Sequence, residues 1–385
     1  MRLTKGFEVE LFTGTPQGVP VGLADQIVAA LPGFVWEPDR RNVEYTTAPN
    51  TCYERLLCDL LRPRLALRRY LHTLGDLTLL PGSTLALGGS DHFERSDPGN
   101  PYHTYIEQTY GTRVVTASVH INVGIENPEA LIRACRVVRV EAALFLALSA
   151  ASPFLNGQVM GVHSQRWHQF PQTPAHIPLF TSHAHYCRWT EVQLAAGTMQ
   201  NVRHLWGAVR PNGHRRPYDL NRLELRICEL VSDPVALLAI TALLEARLLQ
   251  VLADPNLDPL GQSRAPAAYR ADWLRTLADA NGRAAAAHSL EAQLHHWEDG
   301  RPIRAKDWIA DLYDQVAPVA RAHGFYCFLS PLQTILRDGN EAQQWLAQVA
   351  AGRTCTEVIT DAIGQMAQRE QELEDKICGL VGATV

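Results

Sequence analysis

Four short segments of the chain alternate apolar and polar residues with a period of two, which is the pattern of half-buried β-strands. In KGFEVELFTG, Phe7, Val9 and Leu11 share one face, while Glu8 and Glu10 share the other. The other segments are RNVEYTTAP, TASVHINVGI and NRLELRICEL, each with an apolar face of its own. This pattern predicts a largely antiparallel sheet whose apolar face is covered by helices and whose other face is polar.

Two helices have clear start signals. In ENPEALIRACRVV, Asn127 is a good N-cap and Pro128 occupies the first helical position. In SDPVALLAITALLEARLLQVLAD, Asp233 and Pro234 take the same places. The second helix carries an apolar stripe at helical spacing, formed by Leu237, Ile240, Leu244, Leu248 and Val251. The apolar stretch VEAALFLALSAASPFL is too short to span a bilayer and contains Glu141, so it predicts a buried helix.

The strand patterns lie in the first two-thirds of the chain, whereas the remainder is rich in alanine, leucine and glutamine and predicts helices. Between them, DPNLDPLGQSRAPAAYR predicts a linker or surface excursion because it is rich in proline and polar residues. We therefore expect an α+β fold with a sheet-bearing part over residues 1–253 and a helical part over residues 254–385, packed into one domain.

Composition limits the possible partners. The chain has 385 residues and a net charge of -5, and no long basic run indicates nucleic-acid binding. It contains no phosphate-binding loop of the G-x-x-x-x-G-K-[ST] type, and its only lysines are Lys5, Lys306 and Lys376. If the protein handles phosphate, it must therefore use arginines and a metal.

Two features predict a cytoplasmic protein that does not act at a membrane. Glu8 and Glu10 fall where a secretory signal would need an apolar core. The eight cysteines include no C-x-x-C pair and are most simply reduced thiols. Pattern alone leaves open whether Cys52 and Cys58, or any other pair, form a regulatory disulfide.

The polar faces of the four strands carry ionisable groups of similar kinds. One such strand would be weak evidence, because an amphipathic strand usually faces solvent. Four in one chain indicate a shared site. Carboxylates with one imidazole suit Mg²⁺ or Mn²⁺ better than structural zinc, and neighbouring arginines suit phosphate oxygens. The pattern predicts a metal–nucleotide site formed from Glu8, Glu10, Glu44, His120, Glu224, Arg222 and Arg226.

Several motifs resemble those of the glutamate–cysteine ligases, in particular the cyanobacterial-type branch. They are GFEVE, NVEYTTAP, VHINVG, SAASPFLNG and RLELRICELVSDP, together with YHTYIEQTYGT, FPQTPAHIPLF and GTMQNVRHLW. The resemblance covers residues 1–265 densely. It implies a fold similar to glutamine synthetase, in which a curved antiparallel sheet holds ATP, divalent metals and glutamate on its concave face. The implied reaction activates the γ-carboxylate of glutamate as an acyl phosphate, which the amine of cysteine then attacks.

The resemblance also implies roles for individual residues. Arg226 would support the transferring phosphoryl group, Asn122 would contact glutamate, and Arg166 would contact a substrate carboxylate. Asn122 stands where the family often has a second histidine, which leaves His120 as the one expected imidazole ligand. The implied metal ligands are Glu8, Glu10, Glu44, His120 and Glu224.

Two other functions fit the same residues. A sibling carboxylate–amine ligase would activate glutamate but use another amine, because a thiol is small and leaves no recognisable pocket in the sequence. A protein of a different class, a non-catalytic metal or nucleotide sensor, would keep the scaffold without turnover.

Overall fold

The computed structural model describes residues 2–378, and its strands are all paired in antiparallel fashion. One sheet has seven strands and two further sheets are two-stranded hairpins within that range. The strands are β1 (Lys5–Gly14), β2 (Phe34–Trp36), β3 (Asn42–Thr46), β4 (Thr78–Leu80), β5 (Val119–Gly124), β6 (Phe154–Leu155), β7 (Gln158–Val159), β8 (Val209–Asn212), β9 (Arg222–Leu225), β10 (Gln293–His295) and β11 (Pro302–Arg304).

Helices occupy most of the rest of the described chain. They are α1 (Ala24–Ala30), α2 (Tyr53–Leu74), α3 (Pro101–Tyr110), α4 (Pro128–Ser149), α5 (Gln165–Gln169), α6 (His183–Ala195), α7 (Pro234–Ala253), α8 (Pro259–Gln262), α9 (Arg270–His288), α10 (Ala305–Ala322), α11 (Tyr326–Leu329), α12 (Leu332–Asp338), α13 (Glu341–Ala350) and α14 (Cys355–Leu373). Short 3₁₀ turns span Gly111–Val114, Val202–His204 and Ser289–Glu291, and a π-helical turn spans Glu374–Cys378.

The large sheet has the strand order β2-β3-β1-β5-β9-β8, with β4 paired to the end of β1. Its apolar face is fully buried, as Val9, Val43, Val119 and Leu223 show. Helix α4 packs against β8 and β9 on that face, and α2 packs against β1. The α+β prediction, with an antiparallel sheet and helices on one side, is therefore confirmed.

Two predicted elements have different limits in the structure. The helix beginning at Pro128 and the buried apolar stretch are one continuous helix, α4, which ends at Ser149. The strand predicted in NRLELRICEL ends at Leu225, because the next two residues both donate their N–H to one carbonyl, that of Ala208. Asn127 caps α4 as predicted, by accepting a hydrogen bond from the N–H of Ala130.

The later helices pack against the helices of the earlier part. Helix α9 lies on α4, α10 lies on α7, and α14 contacts α2. These contacts belong to the same hydrophobic core as the sheet. The predicted linker contains the short helix α8, and its Asp258 accepts two hydrogen bonds from Arg136 of α4.

The cysteines differ from the prediction that all are reduced. Cys58 of α2 and Cys378 form a disulfide across a sequence separation of 320 residues, with a Cα–Cα distance of 5.5 Å. The other six cysteines are free, including Cys52, so the pair considered from sequence is not the one that forms. The bond requires tertiary proximity of α2 and the end of α14, which spacing alone does not reveal.

Within residues 2–378, helix α7 alone is long and apolar enough to cross a membrane by length and composition. Of its apolar window, 72% is buried inside the structure. Its predicted stripe, including Leu237 and Leu244, is fully buried in the core. Burial in the fold therefore explains its composition.

Candidate functional site

The register of the sheet places the predicted metal ligands side by side on its polar face. Glu10 of β1 pairs with Glu44 of β3, and Glu8 of β1 pairs with His120 of β5. Glu224 of β9 lies on the other side of β5. Because paired residues in neighbouring strands project to the same face, all five side chains converge.

His120 is the centre of this group. Its Nδ1 lies 3.0 Å from Oε2 of Glu8 and 3.7 Å from Oε1 of Glu224, and its Nε2 lies 3.8 Å from Oε1 of Glu10. Two sets of ligand atoms, each spanning no more than 4.8 Å, share this histidine: Glu8–His120–Glu224 and Glu10–Glu44–His120. Carboxylate oxygens with one imidazole fit Mg²⁺ or Mn²⁺, as the sequence predicted.

The carboxyl groups on this face repel one another. Burial and the charges of Glu8 and Glu10 raise the pKa of Glu44 to about 8. Burial, together with the charges of Glu10 and Glu44, also raises the pKa of Glu37 well above its usual range. These carboxyl groups are crowded by like charges, and a divalent cation would relieve that repulsion.

Glu37 is a site residue that the sequence analysis missed. It follows β2, and Val35 of that strand pairs with Glu44. Because side chains alternate along an extended chain, Glu37 falls on the same face as Val35 and Glu44. The signal that could have found it is the short apolar run FVW followed directly by a glutamate.

Glu224 is fully buried and accepts four hydrogen bonds. Arg210 donates to both carboxylate oxygens, at 2.7 and 2.9 Å, Asn212 donates to Oε2 at 2.7 Å, and Arg226 donates to Oε1. Although burial raises its pKa, the charges of Arg210 and Arg226 hold the pKa of Glu224 well below its usual range. Its lone pairs are thus engaged by N–H donors, and a metal bound to Glu224 would have to displace Arg226 or Asn212.

Arg226 lies, as predicted, on the polar face that carries Glu8, Glu10, Glu44, His120 and Glu224, the predicted metal-binding face. Its N–H and that of Ile227 both donate to the carbonyl of Ala208, at 2.8 and 3.1 Å, as in a β-bulge. Its guanidinium pairs with Glu224, and Nη1 lies 3.3 Å from Nδ1 of His120. This arginine is therefore the cation nearest the centre of the acidic group.

Asn122 lies beside Glu8 and lines a cavity of about 390 Å³ together with it. Its Nδ2 donates to Oε1 of Glu8 at 3.1 Å, and its Oδ1 accepts from Nε of Arg222 at 3.1 Å. Both polar atoms of the amide are thus engaged within the protein. Each atom keeps the capacity for one more hydrogen bond, and contact with glutamate stays a prediction.

Arg166 lies behind the site. Its side chain is buried, and its guanidinium donates to the carbonyl oxygens of Arg226 and Ile227, at 3.1 and 3.3 Å. Burial lowers its pKa, and its Nε has no hydrogen-bond partner in the described part of the chain. Its visible role is to hold the backbone that presents Arg226, while contact with a substrate carboxylate stays a prediction.

Two more groups complete the site and were not assigned from sequence. Ser118 donates to Oε2 of Glu10 at 2.9 Å, and its hydroxyl lies 3.2 Å from Nε2 of His120. The alternation that identified His120 could have identified Ser118, which lies on the same strand face. Arg210 lies in the four-residue edge strand β8, which contains Pro211 and is too short for its alternation to be recognised.

The model of the family "Glutamate-cysteine ligase family 2(GCS2)" matches residues 4–372. A Sorangium cellulosum protein provisionally named glutamate–cysteine ligase 2 is 28% identical over 253 residues, which is 64% of this chain and 63% of that protein. A Rhodospirillum rubrum protein with the same provisional name is 30% identical over 63% of this chain and 59% of its own length. The chain thus spans about six-tenths of the length of these curated relatives.

Two solved structures share the fold. A glutamate–cysteine ligase from Francisella tularensis, in complex with AMP, has a TM-score of 0.76 and 14% identity, covering 100% of this chain and 94% of that one. A bifunctional glutathione synthetase from Pasteurella multocida has a TM-score of 0.74 and 14% identity, covering 97% of this chain and 53% of that one. The family model matches nearly the whole chain and agrees with the motifs on the sheet, so this chain belongs to glutamate–cysteine ligase family 2.

Proposed function

We propose that the chain is an ATP-dependent ligase that joins the γ-carboxylate of L-glutamate to the amine of L-cysteine through a γ-glutamyl phosphate, as in the first step of glutathione synthesis. The observation that carries the proposal is the convergence of two carboxylate–imidazole groups on His120, with Arg226 beside them. Membership in the family supports the choice of glutamate and cysteine.

The residues suit the chemistry of carboxylate activation. A carboxylate is a poor electrophile until its oxygen becomes a good leaving group, and two anions must meet before that happens. Mg²⁺ or Mn²⁺ held by Glu8, Glu10, Glu44 and His120 would supply charge neutralisation for the phosphates of ATP. Arg226 offers a planar guanidinium that can contact a transferring phosphoryl group without a lysine.

Positioning of Arg226 comes from the protein itself. Arg166 holds the backbone carbonyl of Arg226 and Glu224 pairs with its guanidinium, so both ends of the residue are fixed before ligands bind. Donors fixed in advance are most effective where charge develops in the transition state. We therefore assign Arg226 to phosphoryl transfer, with Arg166 and Glu224 as its supports.

The first experiment measures phosphate release from ATP with glutamate, with and without cysteine, and then with a panel of other amines. Release that needs glutamate and is fastest with cysteine is the expected result. A faster rate with another amine would keep the ligase chemistry and replace cysteine as the acceptor. If the protein binds ATP and Mg²⁺ but releases no phosphate, the result would favour the alternative of a non-catalytic metal or nucleotide sensor.

A second experiment tests the metal-binding face. Glu8→Gln should abolish turnover and leave the fold intact, because it removes a charged ligand while keeping the shape of the side chain. Glu126→Gln is the matched control, since Glu126 is exposed and lies just beyond β5. Near-normal activity of Glu8→Gln in limiting Mg²⁺ would contradict the ligand assignment.

The order of chemistry can be tested with a sulfoximine analogue of the tetrahedral state formed when the amine attacks. Preincubation with ATP, Mg²⁺ and the analogue should give tight inhibition that persists after dilution, because transition-state mimics gain contacts that substrates lack. Inhibition should fail in Glu8→Gln. Immediate recovery on dilution would argue against an acyl-phosphate route.

A further inference from the structure

A second cavity, of about 460 Å³, lies between α2 and α14. We call it the α2–α14 groove; its charged lining consists of Arg62, Arg68, Arg69 and His72 from α2 and of Glu374 at the end of α14. Its volume is in the range of cavities that enclose a small organic ligand, roughly 300–1,000 Å³.

The groove is separate from the acidic face of the sheet. Beneath it, Arg64 of α2 donates to the Tyr45 hydroxyl, with a separation of 3.2 Å. Tyr45 projects from the apolar face of β3, whereas its neighbour Glu44 projects from the opposite, metal-binding face. A ligand in the groove would therefore lie on the helical side of the sheet.

Beneath the groove, two buried arginines of α2 share one carboxylate. Glu370, which is fully buried, pairs with Arg68 at 2.7 Å and with Arg64 at 3.4 Å. One carboxylate thus faces two guanidinium groups. Arg64 also lies within electrostatic reach of Glu341, so the guanidinium that faces the groove is that of Arg68.

Two polar atoms in the groove have no partner. Arg68 is only 7% exposed, and its Nη2 is buried without a hydrogen bond in residues 2–378, although its Nε and Nη1 are bonded to Glu370 and Thr78. Oε2 of Glu374 is buried and lacks a partner in the same part of the chain. The groove therefore offers one free buried donor and one free buried acceptor.

The rim of the groove adds exposed basic side chains. Arg62, Arg69 and His72 are exposed, and none of them makes a hydrogen bond or ion pair with the residues that the structure describes. The lining itself holds three arginines and one glutamate; Glu370 pairs with Arg68, and Asp59 lies within electrostatic reach of Arg62. Arg69 is therefore the lining arginine with no carboxylate partner among the described residues, and an anion in the groove would supply one.

We propose that the α2–α14 groove binds a small phosphate monoester. Its phosphoryl oxygens would accept hydrogen bonds from Nη2 of Arg68 and from the guanidinium groups of Arg62 and Arg69, which match phosphate geometry. A hydroxyl of its organic part would donate to Oε2 of Glu374, and its carbon atoms would lie against Leu65 and Ala367. This ligand would give a partner to both of the unpartnered buried atoms, Nη2 of Arg68 and Oε2 of Glu374, and an anionic partner to Arg69.

The ends of the groove are fixed by the fold. Cys58 lies one helical turn before Arg62, and Cys378 lies one turn after Glu374. Their disulfide joins the two walls at that end, while Thr78 of β4 closes part of the other. The groove is therefore defined before a ligand binds, which lowers the cost of binding.

Calorimetry on the full chain tests the proposal, with glycerol 3-phosphate, inorganic phosphate and succinate as probes and without ATP or Mg²⁺. Glycerol 3-phosphate should bind most tightly. Arg69→Gln and Arg62→Gln should each weaken it about 10-fold, because each removes a charge-assisted hydrogen bond. Both side chains are exposed, so neither variant should disturb folding.

Two control variants separate this site from others. Arg55→Gln removes an exposed arginine of α2 outside the groove and should leave binding unchanged. Arg226→Gln alters the metal-binding face and should also leave it unchanged. Loss of binding in Arg226→Gln with retention in Arg69→Gln would overturn the proposal, as would equal binding of succinate or no binding of either phosphate compound. None of these results depends on ligase activity.

Discussion

Replacing Arg210 by methionine removes the main partner of a fully buried carboxylate. Arg210 donates to both oxygens of Glu224 and, through Nη1, to the carbonyl oxygens of Arg203 and Leu205 at 2.7 and 3.1 Å. Methionine fills similar space but offers no donor. Glu224 would keep only the hydrogen bonds from Asn212 and Arg226 in a site that is closed to water.

The expected loss of stability follows from burial. Glu224 is 0% exposed and the Arg210 side chain is 6% exposed, so little solvent can replace the lost interaction. Removing one partner of a buried ion pair costs about 3–5 kcal/mol. The 385 residues of the chain imply an unfolding entropy of about 0.8 kcal/mol/K, so Tm should fall by about 4–6 °C.

Urea denaturation of three variants separates electrostatics from packing. Arg215→Met is the matched control, because Arg215 pairs with Asp219 at the surface, where the side chains are 74% and 51% exposed, and it should leave the midpoint unchanged. The double variant Arg210→Met/Glu224→Met should recover part of the stability, since the buried carboxylate goes with its main partner, although Arg226 also loses its ion pair with Glu224. If Arg210→Met is as stable as Arg215→Met, or if the double variant is as unstable as Arg210→Met, the reasoning fails.

Three further predictions concern other parts of the chain. Arg226→Lys should lower kcat about 10²-fold or more while ATP affinity changes little, because lysine keeps the charge but loses the planar fork of the guanidinium. Steady-state kinetics and nucleotide titration check this prediction. A loss of ATP affinity in parallel with kcat would assign Arg226 to ATP binding alone. Burial raises the pKa of Glu341 to about 7, so the folded state binds this proton more tightly than the unfolded chain does. The tighter proton binding stabilises the fold at low pH, and this stabilisation is lost as pH rises from about 4.5 through 7. Glu341→Gln should therefore be more stable than the parent by up to about 3 kcal/mol at pH 8 but not at pH 4, and equal unfolding free energies at pH 8 would contradict it. Cys58→Ser removes the crosslink to Cys378 and should destabilise the fold by as much as about 5 kcal/mol, with a reductant lowering the Tm of the parent and leaving the variant unchanged.

The sequence by itself determined which side chains share a face of each strand. Alternation with a period of two is a local property, so Glu8, Glu10, His120 and Glu224 could be placed on polar faces without knowing how the strands pair. The types of side chain then indicated a site for a hard cation and phosphate. The start of α7 was equally readable, because Asp233 and its following proline form a cap within three residues.

Only the tertiary structure decided which of these groups meet. The strand order places Glu10 against Glu44 and Glu8 against His120, and it brings in Glu37, which local pattern did not distinguish from a loop residue. The tertiary structure also turns the side chain of Arg166 inward, where its guanidinium donates hydrogen bonds to backbone carbonyl oxygens.

The partners of Glu224 also could not be predicted from the sequence. Arg210 reaches it across an edge strand of four residues, and nothing in that short segment reveals a neighbour. The disulfide is the extreme case, since Cys58 and Cys378 are 320 residues apart in sequence. Chain periodicity reports the direction of a side chain relative to its own backbone, whereas distances between elements depend on the packing of the whole core, which no local pattern contains.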